Sequence, residues 1–531
     1  MGLLKTALAS SMLLAGNAAA LDPIIMKGTK FFYENGTQFF MKGVAYQQDT
    51  SAAGSTSEQT NKYIDPLSDE KKCARDVPLL AALGTNVIRT YAIDPKADHT
   101  ACMKLLSDHG IYVISDLSEP ALSINRDSPA WNVDLFDRYK GVIDNLGEFD
   151  NTLGFFAGNE VSNNASNTQA SAFVKAAVRD SKNHIASKGG RWMGVGYAAN
   201  DDAAIRHNLA DYFNCGNSSE SIDYFGYNIY SWCGKSSFTE SGFDTQVDFF
   251  KNYSVPVFFA EYGCNTVDGA DGRLWDDTTA LYSDEMTGVF SGGIVYMYFQ
   301  EANDYGLVEL DGDEVTTMKN YEVLSSKIES VAPSSTAMDA YQPTNSAQSC
   351  PEVNDAWKAA ENLPPTPNRD LCECMYKSLT CQPSKSLDVE DYGDIFDYVC
   401  ANDADACASI KSDVPSGIYG PYLGCNATQQ LGAVLDAYYK NQNSASTACD
   451  FKGAAKINSS PSTDSTCDTL MEAASASAEF AATATGGSAS ATSSGNPASV
   501  VRMERFMTIG DFAVGVYMLI ATGVGAAMVM L

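Results

Sequence analysis

The stretches that decide the fold are LGFFAGNE at positions 153–160 and VPVFFAE at positions 255–261. Each is a short apolar run that ends in a glutamate, which is the pattern of a buried strand with a polar C-terminal tip. Because active sites of parallel barrels lie at that end of the strands, we expect Glu160 and Glu261 at one mouth. Two carboxylates in such a place suit glycosidic bond chemistry, in which one protonates the leaving oxygen and the other attacks or activates water. The alternative is that both are surface charges among the 66 acidic residues.

Between about residues 39 and 327, short apolar runs alternate with longer helical patterns. The runs are apolar on both faces, as in a parallel sheet covered by helices. Eight such units predict an α/β fold of the (β/α)₈ TIM-barrel type. A doubly wound open sheet is the alternative, but no Gly-x-Gly-x-x-Gly fingerprint follows the first strand. The strand candidates are Phe40–Tyr46, Asn86–Tyr91, Ile111–Asp116, Leu153–Ala157, Trp192–Tyr197, Tyr224–Tyr230, Val255–Glu261 and Gly293–Tyr298, and the helix candidates are Ser68–Leu83, Leu135–Leu146, Ala170–Ser187, Thr278–Val289 and Met318–Ser330.

The chain has 531 residues and a net charge of −31, which bound its organisation and its partners. The length allows two or three domains. The acidic balance argues against nucleic acid, because nothing would neutralise the phosphates. It is compatible with a neutral substrate in an acidic medium, and also with solubility alone.

The N-terminus carries the pattern of a secretory signal over residues 1–20, so the mature chain should start near Leu21. Lys5 supplies the positive charge, the run from Ala7 to Leu14 is apolar, and Ala18 to Ala20 suits cleavage. Six N-glycosylation sequons agree with secretion. They are Asn35, Asn164, Asn217, Asn252, Asn426 and Asn458.

The fourteen cysteines fit disulfides in an oxidising compartment. Five lie in the first 330 residues, so one of them should pair outside that region, and Cys350 is the nearest candidate. The other eight fall in a short segment, in which the pairing stays open. A metal site is not expected, because the Cys372-Glu373-Cys374 spacing is wrong for zinc and the four histidines lie elsewhere. The cysteines are Cys73, Cys102, Cys215, Cys233, Cys264 and Cys350, followed by Cys372, Cys374, Cys381, Cys400, Cys407, Cys425, Cys449 and Cys467.

Composition divides the chain beyond the predicted barrel of residues 21–332. Residues 333–349 resemble a linker, residues 350–470 a small disulfide-rich, mainly helical module, and residues 471–499 a Ser/Ala/Thr-rich tail. Residues 500–531 end in an uncharged apolar run, which suits a glycosylphosphatidylinositol attachment signal. Ser494, Gly495 and Asn496 are the candidate attachment residues. A membrane helix is the alternative, but basic residues would usually follow it and none do.

Several polar and aromatic residues fall at the predicted strand tips and should form one rim. Such a set suits a sugar, which needs carboxylates, hydrogen-bonding groups and aromatic faces. We expect Glu160 to be the acid/base and Glu261 the nucleophile, with Arg89 keeping Glu261 ionised. Asn159 is placed to donate to the sugar 2-hydroxyl. The rim candidates are Tyr46, Gln47, Arg89, Tyr91, Asp116, Asn159, Glu160, Asn228, Tyr230, Glu261, Tyr262, Tyr296 and Tyr298.

Gly158-Asn159-Glu160-Val161, Glu261-Tyr262-Gly263-Cys264 and Val295-Tyr296-Met297-Tyr298 resemble motifs of the fungal cell-wall 1,3-β-glucanosyltransferases, glycoside hydrolase family 72. The stretches at 230–234 and 303–308 fit as well, and the resemblance covers nearly the whole chain. It implies a retaining enzyme that cuts an internal 1,3-β-glucan bond and transfers the new reducing end to the non-reducing end of a second glucan. No cofactor is implied. The Cys-rich module resembles the family 43 carbohydrate-binding module.

The resemblance also assigns residues. Glu160 becomes the acid/base and Glu261 the nucleophile, and Tyr296 is preferred to Tyr298 because its spacing to Tyr305 suits the family. The implied disulfides are Cys73–Cys102, Cys215–Cys350 and Cys233–Cys264. The implied glucan contacts are Gln47, Tyr91, Asp116, Asn159, Tyr230 and Tyr296. A monomer at the cell surface is expected, held by its lipid on the outer plasma-membrane leaflet or in the cell wall, with glucan donor and acceptor chains as partners.

Other functions stay open at this point. A plain endo-β-1,3-glucanase would use the same two glutamates, and a non-catalytic wall protein would use neither. No nucleophile elbow or metal-ligand cluster supports a serine hydrolase or a metalloenzyme. The Cys-rich module is expected to bind glucan, the alternative being a cap that stabilises the barrel.

Overall fold

The computed structural model describes residues 21–48 and 63–484, with side chains up to residue 478. The predicted signal sequence and the predicted lipid-attachment segment lie outside these ranges. Within them, no helix combines the length and the apolar character that a bilayer span needs.

The described chain begins with a small antiparallel sheet that the sequence did not predict. Its strands are β1 (Ile25–Lys27), β2 (Lys30–Phe32) and β3 (Gln38–Phe39). The ring of Phe31 lies 6.1 Å from that of Tyr224, and the ring of Phe39 lies 5.5 Å from that of Tyr112. Since these tyrosines lie where barrel strands begin, the sheet closes the N-terminal end of the barrel.

Eight parallel strands form a closed barrel, which confirms the predicted fold class. The barrel interior is filled by large apolar side chains such as Phe156, Phe258 and Ile294, so it is a packed core. The strands, which neighbour one another in chain order, are β4 (Met41–Ala45), β5 (Val87–Thr90), β6 (Tyr112–Asp116), β7 (Thr152–Asn159), β8 (Gly194–Ala199), β9 (Phe225–Asn228), β10 (Val257–Tyr262) and β11 (Phe290–Val295).

Helices cover the outside of the barrel between the strands, as predicted. Asp69 and Asn132 begin two of them by accepting hydrogen bonds from backbone N–H groups of the first turn. Ala170–Ser187 agrees with its prediction, whereas the helix expected over 278–289 is shorter. The helices are α1 (Glu70–Ala82), α2 (Thr100–Asp108), α3 (Val133–Leu146), α4 (Ala170–Ser187), α5 (Arg206–Asn214), α6 (Phe243–Phe250) and α7 (Asp276–Leu281), and a hairpin of β12 (Val308–Asp311) and β13 (Glu314–Thr317) leads to α8 (Lys319–Ser330).

The Cys-rich module is a compact unit held by four disulfides, Cys372–Cys425, Cys374–Cys467, Cys381–Cys449 and Cys400–Cys407. It is mainly helical, as expected. Its helices are α9 (Arg369–Ser378), α10 (Tyr392–Asn402), α11 (Ala427–Asn441) and α12 (Ser465–Ala484), with short pairings between β14 (Cys381–Pro383) and β17 (Ala455–Ile457) and between β15 (Ser412–Asp413) and β16 (Ile418–Tyr419).

The module packs directly against the barrel. Trp357 is completely buried, with its ring 5.2 Å from that of Tyr212. Thr366 Oγ1 donates to Asp180 Oδ1 at 2.6 Å, and the N–H of Val133 donates to the carbonyl of Gly424 at 2.9 Å. The module therefore contacts α4, α5 and the start of α3.

The predicted linker of residues 333–349 crosses the barrel surface rather than hanging free. Tyr341 shares a 2.9 Å hydrogen bond with Thr29, and Asn345 Nδ2 donates to the carbonyl of Tyr253 at 2.8 Å. The Cys215–Cys350 disulfide fixes its end to the barrel. The linker and the module are thus both attached to the barrel surface by several contacts.

Candidate active site

A cleft of about 680 Å³ lies at the C-terminal ends of the barrel strands, where the sequence placed the rim. Seven of the predicted site residues line it: Gln47, Tyr91, Asp116, Asn159, Glu160, Glu261 and Tyr296. Tyr230, Asn228 and Arg89 contact these residues without being part of the lining. The structure therefore brings the predicted set together at one place.

Glu261 lies near the end of β10 and is 8% exposed. Three donors hold its carboxylate. Arg89 Nη1 and the Tyr91 hydroxyl donate to Oε1 at 3.3 and 2.8 Å, and the Tyr230 hydroxyl donates to Oε2 at 2.9 Å. Hydrogen bonds that are all accepted by the carboxylate favour its charged form.

Opposing effects act on the pKa of Glu261. Burial raises it, Arg89 and the hydrogen bonds of Tyr91 and Tyr230 lower it, and the charge of Glu160 raises it, with a net shift upward. The phenols stay protonated donors, because burial raises the pKa of Tyr91 and of Tyr230 well above the usual value. Both carboxyl groups line the cleft, and they are close enough for the charge of Glu160 to act on Glu261.

Arg89 is a fully buried guanidinium that links four strand ends. It forms a bidentate pair with Asp116 at 3.0 and 3.1 Å and also donates to Asn159 Oδ1 at 3.1 Å. Its Cζ lies 4.4 Å from the centre of the Tyr91 ring. Both oxygens of Asp116 are thus held by Arg89, so Asp116 acts on Glu261 through this cation.

Glu160 follows β7 and adopts a positive φ of 49°, which turns the chain out of the strand. Asn228 Nδ2 donates to Glu160 Oε1 at 2.8 Å, and Arg126 Nη2 donates to its backbone carbonyl at 2.9 Å. Glu160 is more exposed than Glu261. The two glutamates therefore have different surroundings, which a division between acid/base and nucleophile requires.

Asn159 accepts hydrogen bonds from two donors on one atom. Arg89 Nη2 and Asn228 Nδ2 reach its Oδ1 at 3.1 and 3.0 Å. Because both partners only donate at these atoms, the amide oxygen of Asn159 is fixed and its N–H groups are what it offers a substrate.

Gln47 uses its side chain to brace neighbouring loops. Its Nε2 donates to the carbonyl of Ile64 at 2.6 Å, and its Oε1 accepts from the N–H groups of Tyr91 and Ala92 at 3.0 and 3.1 Å. Although Gln47 lines the cleft, its position also orders the backbone beside Tyr91.

Three tyrosines form an aromatic cluster beside Glu261. The ring of Tyr296 lies 5.3 Å from that of Tyr305 and 6.4 Å from that of Tyr230, and the rings of Tyr230 and Tyr305 are 5.7 Å apart. Tyr305 belongs to the 303–308 motif, and nothing in the sequence indicated a place for it in the site. We call Tyr230, Tyr296 and Tyr305 the tyrosine cluster.

The rim prediction was wrong for three other tyrosines, which are buried outside the cleft. Tyr46 and Tyr298 both donate to Asp76 of α1, at 2.8 and 3.3 Å, and Tyr262 shares a hydrogen bond with Thr278. Side chains alternate between the two faces of a strand, so Tyr262, the neighbour of Glu261 in β10, points to the helix layer. Tyr298 lies beyond the end of β11, where this alternation no longer applies. Of the two strand-eight candidates, Tyr296 reaches the cleft and Tyr298 does not.

Sequence reasoning missed one wall of the cleft, formed by Tyr63 and the segment between β6 and α3. Glu119 and Arg126 belong to this segment, and Arg126 contacts the backbone of Glu160. The only signal was the length of the connection, from residue 117 to 132, since long loops at this end of a barrel usually build the site. Within the described residues, no cluster of three His, Cys, Asp or Glu side chains is arranged to hold a metal ion.

The disulfides that the family resemblance implies are present in the structure. Cys233–Cys264 joins the loop after β9 to the loop after β10, three residues beyond Glu261. Cys73–Cys102 joins α1 to α2. The first of these bridges holds the segment of Tyr230 next to the end of the Glu261 strand.

Comparisons with known proteins agree with this geometry. The glucanosyltransferase family matches residues 14–332, and the X8 domain matches residues 379–456. The chain is 48% identical over 543 aligned positions to a 1,3-β-glucanosyltransferase of Arthroderma benhamiae, covering 98% of this chain and 99% of that protein. It is 45% identical to the 1,3-β-glucanosyltransferase gas1 of Schizosaccharomyces pombe, covering 87% and 83% of the two chains.

Solved structures give the same result. A Glu-to-Gln variant of Saccharomyces cerevisiae Gas2p, in complex with laminaritetraose and laminaripentaose, superposes with a TM-score of 0.76 at 38% identity. The match covers 86% of this chain and 98% of that one. Another Gas2p structure, in complex with laminaripentaose, has a TM-score of 0.75 at 41% identity, covering 83% and 98%.

Proposed function

The chain belongs to the glucanosyltransferase family, glycoside hydrolase family 72, and we propose that it elongates 1,3-β-glucan by a retaining double displacement. It is a 1,3-β-glucanosyltransferase by its likeness to enzymes of that name over nearly its whole length. The observation that carries the proposed mechanism is the pair of cleft glutamates in different surroundings, Glu261 buried among donors and Glu160 more exposed.

In the first step, Glu160 protonates the glycosidic oxygen while a carboxylate oxygen of Glu261 attacks the anomeric carbon. The bond between that carbon and the leaving oxygen breaks, and the portion on the reducing side leaves. Arg89 and Tyr91 hold the attacking group in place through Oε1. The Asn159 amide donates to the sugar 2-hydroxyl, a contact that strengthens as positive charge develops on the ring.

In the second step, Glu160 removes a proton from a hydroxyl at the non-reducing end of an acceptor glucan. The acceptor oxygen attacks the anomeric carbon, and the ester to Glu261 breaks with retention. Transfer competes with hydrolysis only when the acceptor is bound and oriented before attack, which raises its effective concentration by orders of magnitude. We propose the ring of Tyr296, which lines the cleft and packs against Tyr305, as such a surface, where it would also exclude water.

The proposal includes the site residues and the module. Gln47, Tyr91, Asp116, Asn159, Tyr230 and Tyr296 are proposed to shape the glucan site, with Arg89 and Asn228 supporting it. The module is proposed to bind glucan in addition to packing on the barrel. Support comes from Tyr398, which is 53% exposed and whose ring lies 6.5 Å from that of Tyr438 and 6.1 Å from that of Phe451.

The proposed location is the cell surface, with the chain attached to the outer leaflet through a glycosylphosphatidylinositol lipid. The support is the order of small residues, spacer and apolar run over 486–531. Release of the protein from intact cells by a phosphatidylinositol-specific phospholipase tests this. Retention after that treatment would contradict it.

Chromatography of the products from a purified laminari-oligosaccharide tests the function. Chains longer than the input demonstrate transfer, and shorter chains alone mean that the enzyme is a hydrolase. The Glu261→Gln variant is the control, because it keeps the shape of the side chain and removes the nucleophile. Near-full activity in that variant would overturn the assignment of roles.

A further inference from the structure

Arg273 lies outside the cleft, in the segment between β10 and α7, and is 3% exposed. Its hydrogen bonds go to backbone carbonyl oxygens. Nη1 donates to Tyr296 at 2.7 Å, and Nη2 donates to Tyr305 and Gly306 at 2.6 and 2.8 Å. Nε donates to Ala270 in its own loop at 3.3 Å. One side chain thus ties two members of the tyrosine cluster to the segment that follows Glu261.

The position is costly for a cation. Burial lowers the pKa of Arg273 to about 10, and the charges of Asp277 and Asp304 and the phenols of Tyr305 and Tyr230 only partly oppose this. The guanidinium also stacks on Trp275, with Cζ 4.3 Å from the ring. An apolar residue would fill this space without the desolvation cost, so the carbonyl contacts are what the arginine contributes.

Two of the carbonyls that Arg273 contacts belong to members of the tyrosine cluster, Tyr296 and Tyr305. Tyr296 comes directly after β11, where the strand no longer holds the backbone, and Tyr305 lies in the following loop. Their rings pack on each other and on Tyr230, whose hydroxyl donates to Glu261. A shift of the Tyr296 or Tyr305 backbone would therefore reach the nucleophile through the tyrosine cluster.

The chain makes room for this arrangement two residues beyond Glu261. Gly263 has a φ of 110°, and a Cβ there would lie 2.6 Å from an atom of Trp275 and 3.4 Å from Arg273 Nη1. Asn265 adds a parallel contact, since its Nδ2 donates to the carbonyls of Asn303 and Asp304 at 3.0 and 2.6 Å. The loop after β10 is thus fitted to the loop that carries Tyr305.

We propose that Arg273 is a positioning residue for glucanosyl transfer. It holds the backbone carbonyls of Tyr296 and Tyr305, so that the tyrosine cluster keeps its position beside Glu261. This inference rests on the proposed function. It assigns no chemical step to Arg273, which contacts neither glutamate in the described structure.

Arg273→Met and Arg273→Lys test the proposal in the full-length protein, with Arg191→Met as the matched control. Arg191 is less deeply buried than Arg273 but likewise donates through Nη2 to a backbone carbonyl, that of Phe149 at 2.7 Å. It lies just before β8, at the opposite end of the barrel. The assays are KM and kcat on a laminari-oligosaccharide, the pH dependence of kcat/KM, and thermal unfolding.

For Arg273→Met we expect kcat/KM to fall about 100-fold, as for a displacement of about 1 Å at a reacting centre. KM should rise, because the backbones of Tyr296 and Tyr305 are no longer held in position. The acidic limb of kcat/KM should move to higher pH, because the hydrogen bond from Tyr230 to the Glu261 carboxylate is weakened. Arg273→Lys keeps the positive charge but has fewer N–H donors, so both changes should be smaller in this variant. Arg191→Met should change thermal stability alone.

The inference is overturned if Arg273→Met keeps the KM and the acidic limb of the unaltered enzyme. If that variant does not fold, Arg273→Lys decides, and unchanged KM and pH dependence in it would have the same meaning. Equal kinetic changes in Arg191→Met would show a general loss of stability instead. Failure of the proposed function is distinct, because it shows as an absence of longer products from the unaltered enzyme, whereas KM for bond cleavage can still be compared among the variants.

Discussion

Replacing Tyr230 by Phe removes one hydrogen bond from the nucleophile and leaves the aromatic ring in place. In the structure, the Tyr230 hydroxyl is the donor to Glu261 Oε2, whereas Arg89 and Tyr91 both serve Oε1. The change therefore leaves one carboxylate oxygen without the donor that stabilises its negative charge. We expect the pKa of Glu261 to rise further above its ordinary value, in the direction in which burial already moves it.

The size of the shift follows from the strength of the lost contact. A hydrogen bond to a charged group contributes about 1.5–3 kcal/mol. Since about 1.36 kcal/mol corresponds to one pKa unit, the pKa of Glu261 should rise by about 1–2 units. The nucleophile must be ionised to attack, so activity should be lost at correspondingly higher pH on the acidic side.

The assay is the pH dependence of kcat/KM with a laminari-oligosaccharide, which reports the ionisations of the free enzyme. Tyr253→Phe is the matched control. Its hydroxyl is also buried and donates to the carbonyl of Ala210 at 2.6 Å, away from the cleft. The control should keep the acidic limb of the unaltered enzyme.

An acidic limb that stays in place in Tyr230→Phe would refute the argument that this hydroxyl stabilises the charged nucleophile. A shift of the same size in Tyr253→Phe would refute it as well, because the effect would then come from loss of a buried hydroxyl in general. A shift toward lower pH would mean that the hydroxyl accepts a hydrogen bond from protonated Glu261 instead of donating one to the carboxylate.

Three further predictions concern the acid/base, a buried histidine and the module. Glu160→Gln should lower kcat on polymeric glucan by about 10²–10⁴-fold. The loss should be much smaller on an aryl glycoside, whose aryl oxide group leaves without being protonated. Equal losses on both donors would contradict the acid role. His99 lies 2.8 Å from Asp65 Oδ2 and 2.6 Å from Asn145 Oδ1, and although burial works to lower its pKa, the hydrogen bond and charge of Asp65, with Asn145 and Asp94, raise it above 6.5. Its contribution to the free energy of unfolding should thus be complete below about pH 6.5 and be lost as pH rises through the raised pKa. Denaturant titrations of the unaltered protein and of His99→Gln at several pH values measure this, and the two plots of unfolding free energy against pH should converge at high pH. Parallel plots would disprove it. Trp357→Ala should lower the free energy of unfolding by about 3–5 kcal/mol, because the side chain is fully buried. The control Arg369→Ala removes exposed ion pairs with Asp134 and Asp137 and should lower it by at most about 1 kcal/mol in the same titration. A comparable loss in both variants would mean that burial does not determine how the module is held.

The barrel and its two glutamates were predictable because each buried strand appears in the sequence as a short run of consecutive apolar residues. A run such as 153–157, apolar on both faces, has no stable place except between sheet neighbours and helices. The strand boundaries were less certain. β7 extends to Asn159, and β11 ends at Val295, so that Tyr296 and Tyr298 follow the strand instead of lying in it.

The remaining features depend on contacts between distant parts of the chain. Asp116 lines the cleft as the sequence led us to expect, but the pairing of both its oxygens with Arg89 of the neighbouring strand could not be predicted. The N-terminal sheet escaped prediction because its strands have only two or three residues. Residues 333–349 have the composition of a free linker, yet Tyr341 and Asn345 find partners on the barrel surface.

The sheet beneath the barrel has a consequence for how a polymer is handled. Because side chains fill the barrel interior and Phe31 and Phe39 cover its lower end, no glucan chain can thread through the ring of strands. A long glucan has to be laid sideways across the upper face and lifted off from the same side. A donor chain bound in this way need not present its terminus, whereas the acceptor still has to offer a non-reducing end at the same face.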